Sequence, residues 1–186
     1  TAPALPGLRA DVTYTVDAAG WFDVTAQYFG RAGRPELPLF GLRFETPEPL
    51  ESVHWLGLSG ETYPDRKKGG RFGWHCEAPQ IPAYLVPQEC GCHTDTRAVS
   101  LHRRDGATLT LEATGKPFAF SALPYTPQQL EAAAHREELP QPVRTVVTVC
   151  GAMRGVGGID SWGADVEPAY HADANEKITV SFRIRI

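Results

Sequence analysis

A period of two runs through most of this sequence, and it constrains the fold more than any other feature. Val12, Tyr14 and Val16 share one face, and Phe22, Val24, Ala26 and Tyr28 share the next. Between them "DAAG" supplies a turn, so residues 11–29 read as a hairpin. Residues 39–45 and 52–58 alternate again, and residues 98–103 and 108–113 flank Asp105-Gly106, a strong two-residue hairpin signal. The closing run "KITVSFRIRI" puts Ile178, Val180, Phe182, Ile184 and Ile186 on one face and Thr, Ser and Arg on the other. One-sided strands of this kind belong to antiparallel sheets with one face in water. The expected architecture is a single all-β domain over 1–186, an antiparallel β-sandwich.

One helix interrupts the alternation. Thr126 is placed as N-cap, Pro127 opens the helix, Gln129 completes a capping box, and Pro140 stops it. The expected span is 126–139, with Leu130, Ala133, Ala134 and Glu137 at helical spacing and His135 facing solvent. Residues 67–87 are rich in Gly and Pro and read as a long ordered loop.

Composition narrows the classes. With 186 residues, 42% apolar content and a net charge of -4, the chain is globular and offers no basic stripe for nucleic acid. No apolar run approaches the roughly 20 residues that span a bilayer. The opening "TAPALPGLRA" has no charged region followed by an apolar core, and Met153 is the only methionine, so a segment of a longer multidomain chain is expected. Four cysteines in a domain of this size read as reduced thiols in the cytoplasm. Cys90, Cys92 and His93 lie close enough in sequence for one metal ion, but the second ligand pair of a zinc site is missing. His75 beside Cys76 is a thinner hint of the same kind.

Near the end stands "RGVGGIDSWG", residues 154–163, too rich in glycine for a helix or a strand interior and yet carrying a tryptophan. Three further stretches go with it: "VHWLGLSGETYPDRKKGG" (53–70), "PQECGCHTDTRAVSL" (87–101) and "FAFSALPYTPQQLEAAAHREEL" (118–139). Together, in this order, they resemble the C-terminal domain (the small-chain region) of the LacZ-type β-galactosidases of glycoside hydrolase family 2. The departures are Cys90 where the family usually has Asn, His93 where it has Arg, the segment 59–62, and Ile159 before Asp160.

That resemblance implies a partial galactose-mutarotase-like supersandwich within an enzyme that hydrolyses terminal β-D-galactosides such as lactose. Retaining hydrolysis needs two carboxyl groups about 5 Å apart. The family holds them in a separate (β/α)8 barrel, and no barrel pattern is present here. Catalytic residues are therefore expected outside this chain, which alone would be inactive. In the family the glycine-rich loop delivers its tryptophan to the mouth of the barrel's pocket, so Trp162, with Asp160 and Ser161, is implied as substrate-binding. An indole offers a flat apolar surface on which a sugar face can stack. Gly155, Gly157, Gly158 and Gly163 would shape the loop through positive φ values, with Asp160 and Ser161 pinning the turn. No cofactor is implied in this chain, the Mg and Na of the whole enzyme belonging to its other domains. Its partners would be the rest of the polypeptide or a large subunit, a galactoside, and, for the isolated piece, itself; neither nucleic acid nor membrane is among them.

Other residues have structural readings. Trp55 is expected in the core, and Trp21 and Trp74 as packing residues. Tyr63-Pro64-Asp65-Arg66 reads as a salt-bridged turn in which Arg66 meets a carboxylate. Gln88-Glu89 and residues 94–97 suit a buried polar network or a domain contact. Two other functions stay open: a non-catalytic carbohydrate-binding or interaction sandwich, and a mutarotase-like aldose epimerase, for which no Glu base and His acid pair can be assigned.

Overall fold

The computed structural model describes residues 8–84 and 86–185. Strands β1 (Ala10–Val16), β2 (Phe22–Tyr28), β3 (Leu39–Glu45) and β4 (Ser52–Leu58) stand where the alternation predicts them. They are followed by β5 (Phe72–Glu77), β6 (His93–Thr96), β7 (Ala98–His102), β8 (Thr108–Ala113) and β9 (Phe118–Leu123). Then come a short helix α1 (Pro127–Glu131), β10 (Val146–Met153) and β11 (Ile178–Arg185). The strands form two sheets, one of order β1-β2-β11-β8-β7-β4-β5 and one of order β3-β10-β9-β6. Every pairing among the described residues is antiparallel. Ile186, assigned to the apolar face of the last strand, lies outside the described residues.

The core lies between the sheets and follows from the alternation. The larger sheet contributes Val24, Ala26, Val53, Trp55, Val99, Leu101, Leu111, Val180 and Phe182, and the smaller contributes Phe118, Phe120, Val147 and Val149. Trp55 is only 2% exposed, and its indole N–H donates to the Leu58 carbonyl at 2.9 Å, so the largest core residue also has its polar atom satisfied. His93 is buried against it, its ring 4.2 Å from that of Trp55 and 5.0 Å from that of Phe120. Both its nitrogens face oxygen acceptors, the Gly60 carbonyl at 2.8 Å and Glu77 at 3.1 Å.

Four strands cannot cover seven. Across the β1–β2 pairing Val12 faces Ala26 and Tyr14 faces Val24, so the apolar row of β1 continues the core face of its neighbour. Yet β1 is exposed throughout, Tyr14 to 57%. The opposite face of the smaller sheet is better covered. Cys90, Cys92 and Cys150 are buried, and Cys90 packs with Leu123 and Leu130 in a second, smaller cluster.

Several expectations change. Residues 67–87 are not all loop, because they contain β5, paired along β4 from Val53↔Glu77 to Leu58↔Phe72. The strand is at the sheet edge and its aromatics point outward, so it lacks the one-sided apolar signature of a core strand. Trp74 is accordingly not a packing residue: it is 64% exposed. Trp21 is half-buried, with the Arg183 guanidinium 4.3 Å above its ring.

The helix begins as expected, with both bonds of the capping box present, but ends at Glu131 instead of running to 139. Glu138 accounts for this, since its carboxylate accepts the Ala134 N–H at 2.9 Å and contacts the His135 ring at 3.0 Å. The backbone donor that would extend the helix is thereby diverted, and the chain restarts as a 3-10 turn over Arg136–Glu138. His135 is exposed but precedes that turn and is not helical. Gln88 and Glu89 are exposed, Glu89 pairing with Arg43 at 2.8 Å, so the buried polar network is confined to residues such as Thr94 and Thr96. No helix among the described residues is long and apolar enough to cross a membrane.

Candidate functional site

The glycine-rich loop leaves β10 at Met153, and its first four backbone donors are all taken. Arg154 N–H donates to Pro38 at 3.0 Å and Gly155 N–H to Tyr170 at 2.8 Å. Val156 and Gly157 N–H both donate to the carboxylate of Asp65, at 3.0 and 2.9 Å. The Arg66 guanidinium donates to the Gly157 carbonyl. A loop that reads as flexible in sequence is therefore held along its base.

Asp65 and Arg66 come from a tight turn, closed by Arg66 N–H to Tyr63 O at 2.9 Å and Tyr63 N–H to Arg66 O at 3.3 Å. The turn is tied down on its other side. Thr62 N–H donates to Cys92 O at 2.7 Å. Glu61 accepts from the Tyr63 hydroxyl, from Tyr84 at 3.0 Å and from the Gly91 N–H at 2.8 Å. Partial burial, followed by these bonds to Glu61, raises the Tyr63 phenol above its ordinary value, so it stays a donor. Arg66 differs from expectation here, because its hydrogen-bond partner is a backbone carbonyl and not a carboxylate.

The glycines serve two purposes. Gly157, Gly158 and Gly163 have φ values of +71°, +73° and +81°, the region that L side chains rarely adopt. Gly155 does not. Its need is space, since a Cβ there would lie 2.8 Å from Asp65 Cγ. A Cβ on Gly158 would also lie 3.0 Å from Arg66 Nη2.

Beyond the anchored base the loop pins itself. Asp160 Oδ1 accepts the Trp162 N–H at 2.8 Å and the Ala164 N–H at 3.2 Å. Ser161, expected to help, is exposed and makes no such bond among the described residues. Trp162 follows at 94% exposure, with Ile159 and Val156 also exposed on the same loop. Nothing among the described residues covers the indole. Together these side chains make an apolar patch at the loop tip. Beside the loop base lies a polar depression of about 500 Å³ lined by Asp65, Arg66, Lys68, Gly158, Ile159, Glu167 and Tyr170.

On the other side of Arg154 the segment is fastened by charge. Arg154 pairs with Glu36 and Asp165, and His171 contacts Glu36 and the Val166 carbonyl. The hydrogen bond to Glu36 raises the His171 imidazole above its ordinary value. Partial desolvation pushes Glu36 up, but the bonds from Arg154 and His171 outweigh it, and the net shift is downward. Glu36, Asp165 and His171 are the one set of three potential metal ligands within 4.8 Å of one another among the described residues. The Arg154 guanidinium already occupies two of those carboxylates. Cys90, Cys92 and His93 form no such set.

The sequence missed the clamp formed by Asp65 and Arg66. It also missed the exposed aromatics of β5. For the clamp the sequence showed the Tyr63-Pro64-Asp65-Arg66 turn but not its partner, and for β5 it showed no core-facing row.

Comparison with known proteins agrees with this arrangement of motifs. The family described as "Beta galactosidase small chain" matches residues 1–184. The chain is 47% identical to a beta-galactosidase small subunit of Latilactobacillus sakei over 191 residues, covering 96% of this chain and 60% of that protein. It is 37% identical to a beta-galactosidase of Streptococcus thermophilus and 39% identical to one of Lactobacillus delbrueckii subsp. bulgaricus. Those alignments cover 98% and 95% of this chain but 18% of each relative. The chain thus spans 60% of one relative and under a fifth of the others. By its match over nearly its whole length, it belongs to the β-galactosidase small-chain family.

Proposed function

We propose that this chain is the C-terminal part of a retaining β-galactosidase of glycoside hydrolase family 2, and that it supplies the aglycone-side wall of an active site whose catalytic carboxylates lie elsewhere. The observation that carries the reading is Trp162, 94% exposed at the tip of a loop whose base is held by four consecutive backbone hydrogen bonds. An indole so presented suits the C–H face of a sugar ring that is held mainly by another part of the enzyme. The substrates are terminal β-D-galactosides such as lactose.

The partner is the remainder of the polypeptide or a large chain. That division is supported by the relatives, in which the matching stretch is part of a named small subunit in one organism and a fraction of a longer β-galactosidase in others. No cofactor is assigned to this chain; the metal ions of the whole enzyme belong to its other parts. Four unpaired cysteines are consistent with a cytoplasmic enzyme. Separated from its partner, the chain associates with itself, a reading supported by the uncovered apolar row of Val12, Tyr14 and Val16 at a free sheet edge.

The test is complementation. The chain alone is assayed on a chromogenic galactoside and then with the remaining polypeptide added back. No hydrolysis alone and restored hydrolysis on mixing is the expected result. Hydrolysis by the chain alone would contradict the reading.

A further inference from the structure

We infer that Asp65 and Arg66 are positioning residues for the sugar-facing wall: they fix where Trp162 stands, and so set affinity for the galactoside without touching it. The inference rests on the reading of Trp162 given above.

The clamp is built from both of its sides. The two oxygens of Asp65 are divided between consecutive amides, Oδ1 to Val156 N–H and Oδ2 to Gly157 N–H. The two adjacent donors are each met by a separate oxygen, an arrangement that a carboxylate provides and a carboxamide, with one oxygen and one NH2, does not. Arg66 takes the carbonyl of Gly157. The Gly157 residue is thus gripped at its N–H and at its C=O by neighbouring side chains of one turn. The loop answers with residues that leave room: a side chain at 155 would run into Asp65, and one at 158 into Arg66.

The turn is in turn fastened to β6 through Thr62, whose hydroxyl accepts the Thr94 N–H at 2.8 Å. Four residues separate Gly157 from Trp162, and among them Asp160 accepts the backbone N–H groups of Trp162 and Ala164. One set of directed bonds therefore ties Gly157 to the Asp65–Arg66 turn and a second ties the Trp162 backbone to Asp160, with only Gly158 and Ile159 between them. At 94% exposure the indole has little contact with the described residues that could place it independently. Stacking depends on where the flat face of the ring stands, so a displaced indole loses affinity for the sugar.

The experiment uses the whole β-galactosidase that carries this chain, with Asp65→Asn, Trp162→Ala and the double variant. Asp65→Asn keeps the side chain's size but turns an N–H against one loop amide. It is expected to raise KM for lactose, by up to the roughly tenfold that loss of the whole aromatic platform gives, with little change in kcat, and to speed amide exchange across residues 155–163. In the Trp162→Ala background the same substitution should add nothing to KM. Arg66→Gln, which leaves the carboxylate grip in place, repeats the test should Asp65→Asn fail to fold. A normal KM and unchanged loop exchange in Asp65→Asn, with KM raised in Trp162→Ala, would overturn the inference and leave the proposed function standing. An equal increase in KM from Asp65→Asn with or without Trp162 would overturn it too, because the residue would then act elsewhere. An unchanged KM in Trp162→Ala removes the proposed function and the inference with it, whatever the exchange result.

Discussion

Asp65 and Gly157 lie 92 positions apart in the sequence, yet the Asp65 carboxylate accepts the Gly157 N–H at 2.9 Å. That bond joins the two motifs that say most about the chain. It explains how a stretch with four glycines can hold a tryptophan clear of the protein surface. The flexibility suggested by composition is used up in fitting the loop against one turn.

Gly155 tests the fit of that contact. A methyl at this position would meet Asp65 Cγ at 2.8 Å, closer than real Cβ contacts come. Gly155→Ala should destabilise the protein by about 1–3 kcal/mol, as overpacking usually does, with faster amide exchange at Val156 and Gly157. Ala at Gly115, which has open space around it, should cost far less. Denaturant unfolding of the two variants side by side makes the comparison; equal stabilities would contradict the contact.

Thiol reactivity should divide the four cysteines. Burial pushes Cys90 up to about 12, with the charges of Glu61 and Glu89 adding to it. Burial does the same to Cys150, also to about 12, and holds Cys92 well above the ordinary thiol value. The thiolate is the nucleophile, so these three should resist alkylation at a pH of about 8. Cys76 is exposed and should be labelled first. Peptide mapping after brief iodoacetamide treatment reads the order, and labelling of Cys90 or Cys150 as fast as Cys76 would refute it.

The fastening around Arg154 should depend on pH in both directions. His171 is raised above 6.5 by its bond to Glu36, so its contribution is complete below 6.5 and is lost as pH rises through the folded value. Glu36 has a net shift below 4.5, so its contribution is complete above 4.5 and is lost as pH falls through the folded value. Protection of residues 154–171 against amide exchange, corrected for the intrinsic rate, should be greatest between those two limits. His171→Gln should remove the alkaline limb alone. A flat profile in the native protein would contradict the network.

The sandwich was legible because its strands have one wet face, and burial alternates along β2, β4 and β7 as the residues do. β5 was not, because Gly69, Gly70 and Gly73 surround aromatics that point outward and leave no core-facing row. The start of the helix was written in Thr126 and Gln129, whereas its early end depends on a Glu138 carboxylate reaching back to Ala134. At the candidate site the self-pinning Asp160 turn is local and could be read. Asp65 could not, since nothing within a few residues of it hints at a partner 92 positions away.

The central claim is that the indole of Trp162 meets the sugar, and kinetics of Trp162→Ala in the assembled enzyme test it most directly. Losing an aromatic platform worth about 1.4 kcal/mol corresponds to roughly tenfold in affinity. KM for lactose should rise by about that factor and galactosyl transfer to an added sugar should fall, while Trp162→Phe keeps most of both. Unchanged KM and unchanged transfer in Trp162→Ala would contradict the account.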